Sequence, residues 1–251
     1  MKLPYIIDET YRVAWGDLCY MKENLFEVIV TGLIGPLLYL LAFGYGVGGS
    51  VAGGSESYIR FIIPGIIALS TLSCTFSTVA MKILVQRLFY MSFDELLLCP
   101  IHISTVILGK SLSGVIRALV SCTIIMGVAH IISPDVTIDP MVFVVILAAG
   151  LMFSMFGMLA GMMTSKTQKL SLFTSIVIVP MTFLCGTLFD VAALPDVFSF
   201  VIYALPLTHV SILTRGLMLG TGVPLDSVVI MALYIVLFFC ACYYMIKNHK
   251  C

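Results

Sequence analysis

With 61% apolar and only 10% charged side chains over 251 residues, and a mean hydropathy of +1.13, the chain has too little polar surface to coat a water-soluble globule. Such globules carry roughly 45–50% apolar and about 25% charged residues, so this is an integral membrane protein. Thirteen Lys and Arg balance thirteen Asp and Glu, leaving no basic field for a nucleic-acid backbone and excluding DNA and RNA as partners.

The first 24 residues carry Asp8, Glu9, Asp17 and Glu23 among their apolar positions. A cleavable signal peptide would not, so the N-terminus is expected to stay on the mature protein. Tyr5, Ile6, Tyr11, Trp15, Leu18 and Tyr20 interleave with those charges. The pattern predicts an interfacial helix within residues 1–27, lying along the cytoplasmic face; a disordered tail is the alternative.

Six apolar segments of about 20 residues, the length a bilayer core requires, follow at 28–48, 61–81, 103–131, 141–163, 171–189 and 227–246. Only the third contains Lys or Arg, and none contains Asp or Glu. A start near Leu112 is the alternative for the third. Between the second and third lies KILVQRLFYMSFDELLLCP (82–100), too polar to span and too apolar for a free loop. Lys82, Gln86, Tyr90 and Asp94 recur at i, i+4 with Arg87 on their flank, which predicts a helical cytoplasmic elbow with one wet stripe, ended by Pro100.

Residues 190–226 form an outer region that nevertheless contains LPDVFSFVIYALPL. Between Pro195 and Pro206 there is room for roughly 17 Å of helix, too short to cross. The piece either dips back into the outer leaflet or lies on the surface. Both termini are placed in the cytoplasm, because that puts Lys2, Arg12, Lys22, Lys82, Arg87, Lys166, Lys169, Lys247 and Lys250 inside and only Arg60 and Arg215 outside, as the positive-inside rule favours.

The chemistry of enzymes and primary pumps is missing. LGKSL (108–112) ends like a phosphate-binding loop, but Ser104 stands where that motif needs glycine. The glycine cluster at 43–49 follows no strand and reads as a flexible outer exit. Eight scattered cysteines without a CxxC pair and four dispersed histidines suggest no metal site. No carboxylate lies in a span, which disfavours proton coupling. Lys110 and Arg117, seven residues apart, nearly share a helix face: they either line the cytoplasmic mouth of a path for an anionic head group, or Lys110 snorkels while Arg117 pairs with a carbonyl or neighbour. Gly157 and Gly161 form a GxxxG for close helix packing, within one chain or between two. One chain has too little internal polarity to enclose a path, whereas two copies about an axis along the membrane normal would form a cleft, closed outside by Phe198 and Tyr203.

The order of these parts resembles the ABC-2 type membrane subunits of ATP-binding-cassette exporters. GPLLYLLAFGYGVG (35–48) looks like that family's first span and glycine-rich exit, FDELLLCPIHISTVILGK (93–110) like its elbow, and FLCGTLFDVAALPD (183–196), followed by LPLTH and Arg215, like its outer re-entrant region. The nearest subgroup is that of drug-resistance and nodulation-factor export permeases. The resemblance implies an all-α plasma-membrane subunit that pairs with a second membrane subunit, here expected as a homodimer, and with two copies of a separate ATPase. That ATPase would hold the ATP and Mg, with no cofactor on this chain. Lipids, oligosaccharides, polysaccharides or hydrophobic drugs would be exported. By position, Asp94, Glu95, Leu96, Leu97 and Pro100 become candidates for ATPase coupling, with Arg87 beside them, and Gly109 and Lys110 match the family's pair opening the third span. This chain has QRLFYMSF where the family has an acid-rich stretch before the elbow. An assembly subunit of a membrane complex, or a membrane-embedded lipid-modifying enzyme, are the competing readings.

Overall fold

A computed structural model describes residues 3–47, 54–132, 139–186, 202–220 and 222–248. Regular structure among them is entirely helical: α1 (Leu3–Glu23), α2 (Leu25–Leu41, running into a wide turn at Ala42–Val47), α3 (Gly54–Leu88), α4 (Ser92–Leu98), α5 (Ile103–Ile132) and α6 (Pro140–Met163). Then come α7 (Thr167–Phe173), joined by a wide turn to α8 (Val179–Leu184), α9 (Pro206–Met218) and α10 (Leu225–Lys247). Six stretches are long and apolar enough to cross a membrane, at Leu25–Gly44, Tyr58–Leu88, Ile103–Ile131, Pro140–Met163, Thr167–Leu184 and Leu225–Lys247. The six-span helical architecture expected from the sequence is the one observed.

The bundle is built around α3. Ile62, Ile63, Ile66, Ile67, Phe76, Ile83 and Leu84 are at most 1% exposed, which requires neighbours on every side, and α2, α5, α6 and α9 provide them. In lipid the association of apolar helices gains little from excluding water, so close packing must do more. Glycines supply it. A Cβ on Gly157 would stand 2.6 Å from the Phe76 carbonyl, and one on Gly161 2.6 Å from that of Ala80, so this GxxxG seats α6 directly on the α3 backbone within one chain. Aromatic rings tie in the outer spans: Phe156 of α6 contacts Phe76 at 5.2 Å, Phe173 at 5.9 Å and Phe238 of α10 at 5.0 Å. The outward faces of α2, α7, α8 and α10 stay apolar and exposed, with Leu38, Leu172, Phe183, Leu233 and Val236 among them.

Two expectations change. The 82–100 elbow is not one helix: α3 continues to Leu88, with Lys82 paired to Asp17 and Arg87 donating to carbonyls at the end of α6, and Phe89–Met91 then break the chain before α4. The i, i+4 stripe therefore stops at Gln86. The outer region holds a helix that its polar punctuation hid. Pro206 opens α9 at a position where its missing N–H costs nothing, and thirteen residues, about 20 Å of helix, pack against α3, α6 and α10. Of the piece expected to dip, 195–206, residues 195–201 lie outside the described residues. The third span runs unbroken from Ile103, without a later start.

Candidate coupling and substrate sites

At the end of α3 the amides of Phe89 and Tyr90 both turn to the Val85 carbonyl, at 3.0 and 3.2 Å. Met91 then adopts φ 55°, a left-handed conformation costing a non-glycine about 1–2 kcal/mol. Its carbonyl accepts from the amides of Asp94 and Glu95, so α4 starts on a new axis with two acids in its first turn, where the helix dipole favours them. Phe93 is fully buried, and Leu96 and Leu97 pack half-buried on the same core. Glu95, Leu98, Cys99 and Pro100 face outward beside Phe89, Tyr90 and Met91, each of these three more than half exposed.

Of the residues expected to couple, Glu95 and Pro100 thus lie on the outer surface, Asp94 partly so, and Leu96 and Leu97 face the bundle. Arg87 points inward as well, donating to the carbonyls of Met162 and Thr164, where a cation complements the α6 C-terminus. The exposure of Phe89, Met91 and Leu98 was missed because apolar residues read as buried; Tyr90, read as part of the wet stripe, is exposed beside them.

α1 docks on α5 through one face. Glu9, Val13 and Asp17 recur at i, i+4, i+8. The Glu9 carboxylate, 8% exposed, accepts from the Thr105 hydroxyl at 3.2 Å. Val13 and the Thr10 carbonyl sit where a Cβ on Gly109 would be, at 2.7 and 3.0 Å. Asp17 Oδ1 lies 2.9 Å from Lys82 Nζ and 3.5 Å from Lys110 Nζ. Lys110 is therefore occupied in a three-helix ion cluster centred on Asp17 and joining α1, α3 and α5, and the sequence signal for it was the spacing of the α1 carboxylates. The outer face of α1 carries Tyr11 and Trp15, in ring contact at 5.4 Å.

Arg117 is elsewhere. Its guanidinium donates to Thr31 Oγ1 at 2.7 Å and lines a cavity of about 340 Å³ between α2, α3 and α5 whose wall includes Tyr39, Ser70, Ser73 and Ser77. Lys110 does not line this cavity, so within one chain the two basic residues do not share it.

At the opposite end from the elbow, Tyr203 is half exposed. Its carbonyl lies 2.9 Å from His209 Nε2, and His209 Nδ1 is 3.3 Å from the Ser227 hydroxyl. A carbonyl can only accept, so Nε2 carries a proton. Phe198 lies outside the described residues.

The chain matches the model of the ABC-2 type transporter family over residues 10–219. It is 25% identical over 229 residues to the inner membrane transport permease YadH of Escherichia coli K12, covering 89% of both chains. To nodulation protein J of Rhizobium meliloti it is 29% identical over 205 residues, covering 80% of this chain and 77% of the other. With nodulation protein J of Neorhizobium galegae the identity is 28% over 202 residues, covering 78% and 76%.

Proposed function

Because the chain belongs to the ABC-2 type transporter family, we propose that it is the membrane subunit of a plasma-membrane exporter that moves an amphiphilic or hydrophobic substrate outward, using ATP hydrolysed on a separate ATPase subunit. The observation that carries this reading is the elbow. α4 is anchored by buried Phe93 yet turns an apolar collar and Glu95 away from the bundle, at the end where Lys166, Lys169 and Lys247 also lie. Arg60 and Arg215 sit at the other end, with the Arg215 guanidinium 3.8 Å from the Phe61 ring. That charge bias supports a cytoplasmic elbow, within reach of an ATPase that would hold the ATP and Mg. Tyr11 and Trp15 on the outer face of α1 suit the membrane interface.

The exposed apolar outer faces of α2, α7, α8 and α10 suit contact with lipid and with a second membrane subunit, which we take to be a second copy, with Tyr203 near its outer closure.

Co-expression with the cognate ATPase tests the reading. Glu95→Lys combined with Leu98→Asp, both on the outer surface, should abolish co-purification and permease-stimulated ATP hydrolysis while the permease still elutes as a single folded species. Survival of both readouts would show that the elbow is not the docking element.

A further inference from the structure

Arg117 stands equidistant from the ends of the Ile103–Ile131 span, and Ser73 equidistant from those of the Tyr58–Leu88 span. The cavity they share thus lies midway along both of these apolar helices. Ser70, Ser73 and Ser77 fall at i, i+3, i+7 and so on one face of α3, joined in the wall by Thr78 and Thr31. Ser73 and Ser77 are exposed although α3 is otherwise the most buried span. No carboxylate lines the cavity among the described residues. The Arg117 guanidinium gives one hydrogen bond to the neutral Thr31 hydroxyl, and its Nε, buried, meets no acceptor.

A guanidinium offers five donors, and a cation within a membrane span costs up to about 2.5–3.5 kcal/mol by insertion measurements. The single Thr31 hydrogen bond repays only part of that. What would complete the site is an anion with two or more oxygens: the planar fork takes two of them side by side, and the serine hydroxyls take the rest. A space of about 340 Å³ holds a head group and little more. Beyond it Ile34 and Leu38 of α2, both more than half exposed, offer an apolar way out to the lipid. Resting on the export reading, we propose that this cavity binds the phosphate, sulfate or carboxylate head of the amphiphile being moved, with Arg117 as its counter-charge and the tail left in the bilayer.

The test uses the full chain in dodecylmaltoside without its ATPase, the native cysteines replaced by serine and Ser73→Cys added. Anionic sulfonatoethyl thiosulfonate should modify that thiol about tenfold faster, relative to cationic trimethylammonioethyl thiosulfonate, with Arg117 than with Arg117→Gln, as one uncompensated charge nearby implies. Arg117→Lys should keep the bias. Dihexanoyl phosphatidate should protect the thiol, and neutral dihexanoylglycerol should not. Native mass spectrometry of the protein with its own cysteines repeats the comparison should the replaced chain not fold: phosphatidate retained at least tenfold over dihexanoylglycerol, and lost in Arg117→Gln. Absence of both bias and selective retention overturns the proposal, and inorganic phosphate protecting as well as phosphatidate at equal concentration overturns its amphiphile part. Selective retention in a chain that binds no ATPase would sink the export reading and leave the site standing. ATPase binding without retention would sink the site alone.

Discussion

Asp17 is the single anion shared by two lysines, and replacing it separates a buried charge from an exposed one. Lys110 is 8% exposed. The Lys82 side chain is 24% exposed and can swing to water, so its pair with Asp17 is worth at most about 1 kcal/mol. In Asp17→Asn, Lys110 keeps its burial and loses its counter-charge; breaking a buried pair from one side costs about 3–5 kcal/mol, reduced here by whatever water reaches the α1 seam to on the order of 2–4 kcal/mol. For a chain of this size that corresponds to an apparent Tm lower by roughly 5–10 °C. Lys110→Met removes the cation instead and leaves Asp17 with Lys82 at 2.9 Å, so it should cost about 1 kcal/mol or less. The double variant Asp17→Asn, Lys110→Met should recover most of the loss, because no buried charge is left uncompensated. Thermal unfolding of the four proteins in detergent, monitored by tryptophan emission from Trp15 on α1 and by helical circular dichroism, measures this. Equal losses from the two single variants, or a double variant showing their sum, would refute the cluster as described.

Gly109→Val should push α1 off α5, since even its Cβ meets Val13 and the Thr10 carbonyl; overpacking of this kind costs about 1–3 kcal/mol, read as faster hydrogen exchange over residues 9–21. Gly157→Val should abolish monodisperse protein, because the obstacle is the Phe76 backbone, whereas Gly127→Ala, with nothing within 4 Å of its Cβ, should elute as the parent does. Single cysteines at positions 222 and 166 of a cysteine-free chain should label from outside and only after permeabilisation, respectively; the reverse pattern would invert the topology.

The spans were legible because a bilayer demands about 20 apolar residues in a row, and nothing else in the chain imitates that. α6, whose segment is wholly uncharged, begins at Pro140, where Asp139 accepts from the Met141 amide at 2.9 Å, one residue from where apolarity alone put it. α9 was not legible. Its thirteen residues are too few for a span, and its Thr208, His209, Ser211 and Thr214 read as outer loop. Each of these four is buried, with Thr208 bonding back to the Ile202 carbonyl at 2.6 Å and Thr214 to that of Val210 at 2.8 Å. A hydroxyl that satisfies itself on nearby backbone is chemically polar and structurally apolar, and composition registers only the first.

Charges misled for the complementary reason. In a linear reading Lys82 and Arg87 mark the end of a span and Lys110 threatens its start, since each would be costly in lipid. The fold moves the partners in: Asp17 arrives from α1, and the Met162 and Thr164 carbonyls from the end of α6. None of these partners lies within four residues of the cation it serves, so no local window reveals them. Lys110 and Arg117 looked equivalent by helical spacing for the same reason, and the difference between them is supplied by other elements. Where α1 docks, the cation is matched to a carboxylate and becomes part of the scaffold. Seven residues further along α5 the facing helix is α2, which offers a single threonine hydroxyl, and α3, which offers serines. A chain that brings a carboxylate to Lys110 and a hydroxyl-lined space to Arg117 treats its two basic residues in opposite ways, and that contrast singles out the second as the one kept for something the chain itself does not contain.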